Sequence, residues 1–518
     1  MSKKKILKSA FTVGSMTAIS RVFGYIRDLT LAAILGAGFG MDAFTVAFRI
    51  TNLLRRLVAE GSMTAAFVPV FTKYRSENKD ENVWDFANKM FFTLAMILAV
   101  TAVLSIIFAP VIVKLIAPGF NEISGKTALT VLLNRIMAPY IMFIGLAALA
   151  MGILNSLGHF AVPSFAPVLL NISIIICTLL FSRSFGEPAV ATAIGALIGG
   201  VLQVAIQLPL LKKYGMTFKF RISFDHPAIR KVGKLIVPGV FGAGITQIQL
   251  VVGSLMASFL AQGAVSSLYY SDRVMELVLG ILVISISTVI LPEMSKRAAA
   301  NDINGVKEIM TFSLRLISWG TIPAAVGLIA LRTPIIKVLF QHGKFTAADT
   351  ETAAFALIFY ALGLFFFACI KIIAPAFYAF HDIKTPVKVA WVSLFINIAA
   401  ALILMQSLKQ GGIAFGLSIA SAFNVVILMY IFIKRYGWID MKGLAGLVLK
   451  IICASLIMAL ACTAVIKLTD FYGQTKIIWQ VFSLLAAIIT GMAVYFISTY
   501  FLGCSEIKDI KKLRQLNN

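Results

Sequence analysis

KKYGMTFKFRISFDHPAIRKVGK, residues 212–234, organises the reading of this chain. It holds seven lysines and arginines against one acid and is too polar to cross a bilayer. On both sides of it the chain consists mostly of apolar runs. Of 518 residues, 60% are hydrophobic and 13% charged, about half the charged share of a soluble protein. No soluble fold hides that much apolar surface, so a soluble enzyme and a secreted disulfide scaffold are both excluded. Closed β-barrels are the only other spanning architecture, and their short alternating segments are absent.

The fold expected is an all-α polytopic membrane protein. Runs of about twenty apolar residues place about fourteen helices at 9–35, 42–71, 85–109, 127–155, 161–182, 188–211, 234–260, 265–294, 308–331, 350–378, 386–407, 411–433, 443–467 and 477–502. The side holding the N-terminus, the 212–234 stretch, Lys434–Arg435 and the tail Lys508–Arg514 carries about 27 Lys and Arg against about 8 on the other. Both termini are therefore expected in the cytoplasm. The same rule accounts for most of the net charge of +24 without nucleic acid. Residues 213–233 become a cytoplasmic, amphipathic connector that touches anionic headgroups. Arg21, Arg27 and Asp28 fall where a signal peptide would be apolar, so the first span is read as retained. Cys177, Cys369, Cys453 and Cys462 lie in apolar runs and Cys504 lies near the tail; no CxxC occurs, and neither a metal nor a redox site is expected.

Landmarks repeat across the connector. FVPVFTKYR (67–75) matches ILPEMSKR (290–297), with Pro69, Thr72 and Lys73 facing Pro292, Ser295 and Lys296. PVIVKLIAPGF (110–120) resembles PIIKVLFQHGKF (334–345), and Pro163 faces Pro386. These landmarks keep their order at an almost constant offset, which indicates two six-helix lobes, 1–212 and 234–435. Six is even, so the lobes face the same way, related by a pseudo-two-fold axis along the membrane normal. A terminal helix hairpin (443–502) and a basic cytoplasmic tail (503–518) have no counterpart.

Ionisable groups inside spans carry the functional signal: Arg21, Arg27, Arg49, Arg55, Arg56, Arg135, Arg273, Arg315 and Lys371, with Asp28, Asp42, Glu60, Asp272 and Glu276. Nine lipid-facing cations would cost on the order of 25 kcal/mol. They must pair, snorkel or line an aqueous cavity. Asp42, Arg49, Arg56 and Glu60 fall within about 40° on an ideal helix, and Arg56–Glu60 is an i,i+4 pair, so this stripe can neutralise itself. Glu276 stands three residues from Arg273. Arg21, Arg27 and Arg55 have no carboxylate at helical spacing, and neither do Arg135 and Arg315, which lie nearer span ends where snorkelling or helix packing suits them better. Several arginines around one cavity suit a pyrophosphate or another multiply anionic head group, since a guanidinium forks onto phosphate oxygens. A cavity for cationic drugs would present carboxylates instead. Hinge candidates are Gly24, Gly36 and Gly38 in and after the first helix, and Pro238 and Gly239 near the start of the seventh; close helix packing is the plainer use of such residues.

SRVFGYIRD (20–28), the 36–71 run, YYSDRVME (269–276), FQHGKFTAADT (340–350) and HDIKTPVK (381–388) resemble the MurJ (MviN) lipid II flippase family of the multidrug/oligosaccharidyl-lipid/polysaccharide exporter superfamily. The likeness runs over nearly the whole chain. It implies a transporter, not an enzyme, that moves undecaprenyl-pyrophosphate-linked peptidoglycan precursor from the inner to the outer leaflet of the bacterial cytoplasmic membrane. It implies substrate-cavity roles for Arg21, Arg27, Arg55 and Arg273, with Ser20 and Asp42 beside them, and a lipid-tail groove on the terminal hairpin. Membrane lipids are the other expected partners, and the chain is expected to act as a monomer. No cofactor is expected; the membrane potential supplies energy, with sodium near Gln247, Asp382 and Asn397 as a further candidate. The absence of a G-x-x-x-x-G-K-[ST] run agrees with a machine without an ATP site. The alternatives are a cation-coupled drug exporter or another polysaccharide-lipid exporter of the same superfamily, and a polyprenyl-dependent membrane enzyme. The cavity's excess of Arg over acid speaks against the drug exporter. Short external loops such as AQGAVSS (261–267), which lacks any acid, speak against the enzyme.

Overall fold

The computed structural model describes residues 3–58, 64–77 and 80–504, with side chains described except at 3–10, 54–58, 64, 65, 80, 237–243, 245, 246, 284, 285 and 288. Contacts divide the chain into two compact units, Met1–Ser266 with His342–Phe345, and Ser267–Gln341 with Thr346–Asn518. In order the helices are α1 Lys3–Leu35, α2 Phe39–Val58, α3 Thr64–Glu77, α4 Asp80–Ile107, α5 Ala109–Ile116, α6 Lys126–Met137, α7 Tyr140–Ser156, α8 Ala161–Phe181, α9 Pro188–Ala205, α10 Leu208–Lys213 and α11 Pro227–Ser258. They continue as α12 Ala264–Leu282, α13 Ile284–Ala299, α14 Ile303–Ala330, α15 Arg332–Phe340, α16 Ala347–Ala379, α17 Lys384–Leu408, α18 Gln410–Tyr436, α19 Met441–Leu468 and α20 Ile477–Phe501.

Among the described residues, ten helices are long and apolar enough to cross a membrane. The expected spans 9–35 and 42–71 are helical wherever described, 234–260 is helical to Ser258, and 265–294 is helical but for a break at Val283; none of the four is among the ten. They are the first two helices of each expected lobe, and together they carry Arg21, Arg27, Asp42, Arg49, Asp272, Arg273 and Glu276. α11 carries through Pro238 and Gly239 as one continuous helix.

Local chemistry sets the helix ends. Gly36, at φ +71°, takes the left-handed conformation that ends α1. Thr346 and Asp349 form a reciprocal capping box on α16. Asp302 and Asp440 accept from Gly305 N and Gly443 N to cap α14 and α19.

The core of the first unit gathers Phe67, Phe71 and Phe86, with ring centroids 5.2 to 6.3 Å apart. The connector joins this core without a helix over 216–226. It runs as an extended strap along α4: Phe218 packs edge-on to Phe91, Thr93 and Ser223 exchange hydrogen bonds, and Arg221 pairs with Asp85 at 2.7 Å. His226 closes the strap, its ring stacked on Phe86 at 5.2 Å and tilted against Tyr74 at 5.7 Å. Burial in that aromatic nook, with Lys89 nearby, holds the His226 imidazole below its ordinary value.

In the second unit α17 and α18 approach to backbone contact: a Cβ on Gly412 would lie 2.3 Å from the Leu404 carbonyl carbon. The terminal hairpin, α19 and α20, packs on α14, and Tyr495 donates to the Trp319 carbonyl at 2.7 Å. Its other faces, including Leu460, Ile478 and Phe482, are exposed.

Candidate functional site

α1 brings three of the expected residues together. Arg27 donates to Asp28 Oδ1 from Nε at 3.0 Å and from Nη2 at 2.7 Å. Its Nη1 donates to Asn171 Oδ1 on α8 at 3.0 Å, and Asn171 Nδ2 donates to the Ser20 carbonyl at 3.2 Å. Arg27 and Asp28 are nearly buried. The expectation that Arg27 lacks a local partner is therefore corrected: the partner is the adjacent residue, outside the three- and four-residue spacing that sequence reading searches. Arg21, near the middle of α1, is exposed and has no hydrogen-bond or ion-pair partner among the described residues. A cation in such a position suits an anion that comes and goes. Gly24 lies beside Asn171, where a Cβ would make only ordinary contact at 3.5 Å.

Asp42 stands in a different setting. Its carboxylate takes four donors: Lys126 Nζ at 2.8 Å, Gly263 N at 2.8 Å, Ser266 N at 2.8 Å and Ser266 Oγ. Lys126 also lies over the Phe120 ring, 4.3 Å from its centroid. Asp42 and Lys126 are both 1% exposed, so this pair is fully withdrawn from water. Glycines let backbones close around it. A Cβ would come within 2.7 Å of Lys344 O at Gly36, 2.1 Å of Ala33 O at Gly343, 2.5 Å of Ala37 O at Gly263 and 2.2 Å of Ser258 O at Gly119. Lys344 N donates to Ala33 O at 2.8 Å, so Gly36 stands at a docked seam, and a Cβ at neighbouring Gly38 would reach Gln262 Nε2 at 3.5 Å. Arg49 turns to Ser254 Oγ at 2.5 Å. Asp42 and Arg49 thus both make contacts beyond their own helix. Arg55, Arg56 and Glu60, which complete the expected stripe and the expected cavity set, lie outside the residues whose side chains are described, as do Pro238 and Gly239.

In the second unit Arg273 Nη1 pairs with Glu276 Oε2 at 2.6 Å, with its guanidinium 4.9 Å from the Tyr269 centroid. The i,i+3 pairing matches the expectation from spacing. Arg315 pairs with Asp440 at 2.6 Å, and Arg135 Nε donates to the Ile106 carbonyl at 3.2 Å. Both end in packing contacts.

The three sodium candidates do not form one cluster. Asp382 precedes α17 and Asn397 lies on it, about 20 Å further along at 1.5 Å per residue. Asp382 is already engaged by Arg435 and by Thr385 through Oγ1 at 2.6 Å and N at 3.0 Å. Burial raises the Asp382 carboxyl, and hydrogen bonds from Thr385 and Arg435 more than reverse this, holding it below the ordinary carboxylate value. Gln247 is buried on α11. Asn397 Oδ1 and Asn424 Oδ1 are buried without hydrogen-bond partners among the described residues, while Asn424 Nδ2 donates to Ser393 Oγ at 3.1 Å. Among the described residues, no three His, Cys, Asp or Glu side chains gather as metal ligands.

Sequence reasoning missed Lys126, Asn171 and Ser266. Their partners lie 84, 144 and 224 residues away in the chain, beyond any local pattern.

The sequence model of the family described as Lipid II flippase MurJ matches residues 31–490. A probable lipid II flippase MurJ of Vibrio cholerae serotype O1 is 34% identical over 98% of both chains. One of Rickettsia prowazekii is 35% identical over 96% of this chain and 98% of its own. The Lipid II flippase MurJ of Burkholderia cenocepacia is 34% identical over 88% and 89%. Among solved structures, a lipid II flippase MurJ in an inward closed conformation superposes with a TM-score of 0.79 at 30% identity, covering 96% of this chain and 99% of that one. An inward-facing multidrug resistance MATE transporter of the MOP superfamily reaches 0.68 at 13% identity over 84% and 99%, a likeness of fold.

Proposed function

This chain belongs to the lipid II flippase MurJ family, and on that premise we propose that Arg21 is the first cation to meet the pyrophosphate of lipid II as it crosses the membrane. The protein is a multi-pass membrane transporter and not an enzyme. The observation that carries the proposal is the state of Arg21: a mid-helix arginine exposed and without a partner among the described residues. Arg27, oriented by Asp28 and Asn171, and Arg273, lightly held by Glu276, act after it. Arg55 is kept with them on the sequence reading. Asp42 holds the seam formed by Gly36, Gly119, Gly263 and Gly343 while the substrate loads, and its four hydrogen bonds must be exchanged before that seam opens. The lobes are 1–212 and 234–435, with the hairpin 443–502 receiving the lipid tail, both termini in the cytoplasm, and one copy sufficient.

Alternating access needs a return step. An empty cavity with an uncovered arginine is drawn toward a negative interior by about 2.3 kcal/mol per charge per 100 mV of field crossed. Pyrophosphate cancels that pull. The membrane potential therefore resets the empty carrier. In reconstituted vesicles, lipid II is expected to compete with a soluble pyrophosphate analogue, whereas a cationic dye is not. Competition by the dye alone would overturn the assignment. Turnover that ignores the potential and follows an imposed sodium gradient would overturn the reset step.

A further inference from the structure

A crease of about 430 Å³ separates the start of α14 from the link that leads into α19. Asn304, Lys307, Glu308, Thr311, Phe312 and Arg315 form its floor. Their three- and four-residue spacing puts them on one stripe over the first turns of α14. Trp438, Ile439 and Asp440 form the facing wall. Both helices become apolar just beyond the crease, so it lies at the level where a bilayer turns from headgroup to hydrocarbon. Trp438 is 77% exposed at its lip, as an interfacial tryptophan is.

The charges in the crease are of two kinds. Arg315 and Asp440 satisfy each other at 2.6 Å, and Asp440 also caps α19 through Gly443 N. Lys307 and Glu308 have no ion-pair partner among the described residues, although both face the crease. Arg315 Nε is buried with no hydrogen-bond partner among the described residues. The crease therefore offers a cation and an anion that no ion pair holds among the described residues, although Arg297 bears electrostatically on Glu308, together with a guanidinium N–H and an aromatic face. A lone phosphate would answer the first and leave Glu308 facing it. A zwitterion answers both.

We propose that this crease is a binding site for a zwitterionic phosphoethanolamine headgroup. The phosphate lies on Lys307 and the Arg315 edge, the ammonium on Glu308 beside the Trp438 ring, and the acyl chains run along the exposed faces of α14 and α19. Ammonium over indole and carboxylate is favourable when partly desolvated. Such a lipid would brace the root of the terminal hairpin against α14. The inference does not depend on the transport reading, because it concerns a resident lipid held by residues other than Arg21, Arg27 and Arg273.

The test is native mass spectrometry of the full chain, released from vesicles of matched phosphatidylethanolamine, phosphatidylglycerol and phosphatidylcholine. Retention of phosphatidylethanolamine is expected to exceed that of the other two. Lys307→Gln should lower it about tenfold, the loss of one charge-assisted hydrogen bond. Glu308→Gln should lower it similarly and raise phosphatidylglycerol retention, because the carboxylate that repels a purely anionic headgroup is gone. Equal retention of phosphatidylglycerol and phosphatidylethanolamine by the unmodified chain would overturn the zwitterion assignment. Unchanged retention in both variants, each with an unchanged unfolding midpoint, would overturn the site. Soluble phosphoethanolamine that binds in place of any retained lipid would overturn the lipid as source.

Discussion

Two ion pairs of nearly equal length have very different surroundings. Lys126 and Asp42 meet at 2.8 Å with 2% and 1% of their side chains exposed, whereas Arg273 and Glu276 meet at 2.6 Å with 32% and 45% exposed. Distance says nothing of this difference; solvation decides it. A buried pair has surrendered its hydration, so removing one partner strands a charge where water cannot reach it. A pair that water still reaches loses little when it opens, and it can trade its partner for a ligand. The first arrangement suits a seam that must be either shut or open. The second suits a cation that must be both held and available.

The largest effect is expected at the buried pair. Lys126→Ala should cost about 3–5 kcal/mol of stability, read from denaturant unfolding in detergent. Combining Asp42→Asn with Lys126→Met removes both charges and should recover a large part of that loss, since no charge is then stranded. A single-variant cost below about 1 kcal/mol would mean that the pair behaves as a surface bridge, and the contrast would collapse.

Next comes Arg21, which has no pair to break among the described residues. Arg21→Ala should leave the unfolding midpoint unchanged and lower transport by about tenfold or more, the worth of a charge-assisted hydrogen bond to phosphate. Arg21→Lys should rescue poorly, because a point charge does not fork onto two oxygens. Full activity of the lysine variant would sink the forked contact. A smaller effect follows at the open pair: Glu276→Gln should shift stability by no more than about 1 kcal/mol. It should also tighten binding of a soluble pyrophosphate analogue in calorimetry, because Arg273 no longer shares its charge. Weaker binding would mean that Glu276 orients Arg273 and does not compete for it.

The sequence carried the coarse answer because membrane solvation is written in composition. Apolar runs, the basic connector and the Pro69/Pro292 and Pro163/Pro386 landmarks are legible without contacts. So was the Arg273–Glu276 pair, since helical spacing fixes it. The partners of Arg27 and Asp42 were not. Asn171 and Lys126 reach them through helix packing, and nothing local marks either residue as a partner. The same limit misplaced the sodium candidates, where three acceptors looked like a set until α17 put Asp382 and Asn397 turns apart. The extended path of the connector along α4 was not legible for a related reason. Alternating exposed residues such as Phe220, Ile222 and Phe224 fit an amphipathic surface segment, but the partners of its other side, Phe91 and Thr93, belong to α4.

The smallest effect tests the same rule at a group between the two extremes. His226 is stacked between Phe86 and Tyr74, partly desolvated and partly open to water. Its folded-state pKa is depressed first by burial and then by Lys89, with Asp85 opposing. The unfolded chain therefore takes up the proton more readily than the folded one. The sign follows: the contribution of neutral His226 is fully present above its unfolded value of about 6.5, and it is lost as pH falls from there through the lower folded value. Unfolding midpoints measured at pH 7.5 and pH 5.5 should show a modest loss at the lower pH that His226→Phe abolishes, because phenylalanine keeps the stack and carries no titratable nitrogen. The effect is screened by the exposed part of the ring and should be the weakest of the four. A loss that persists undiminished in the phenylalanine variant would assign the pH response to another group and remove His226 as the anchor of the strap on α4.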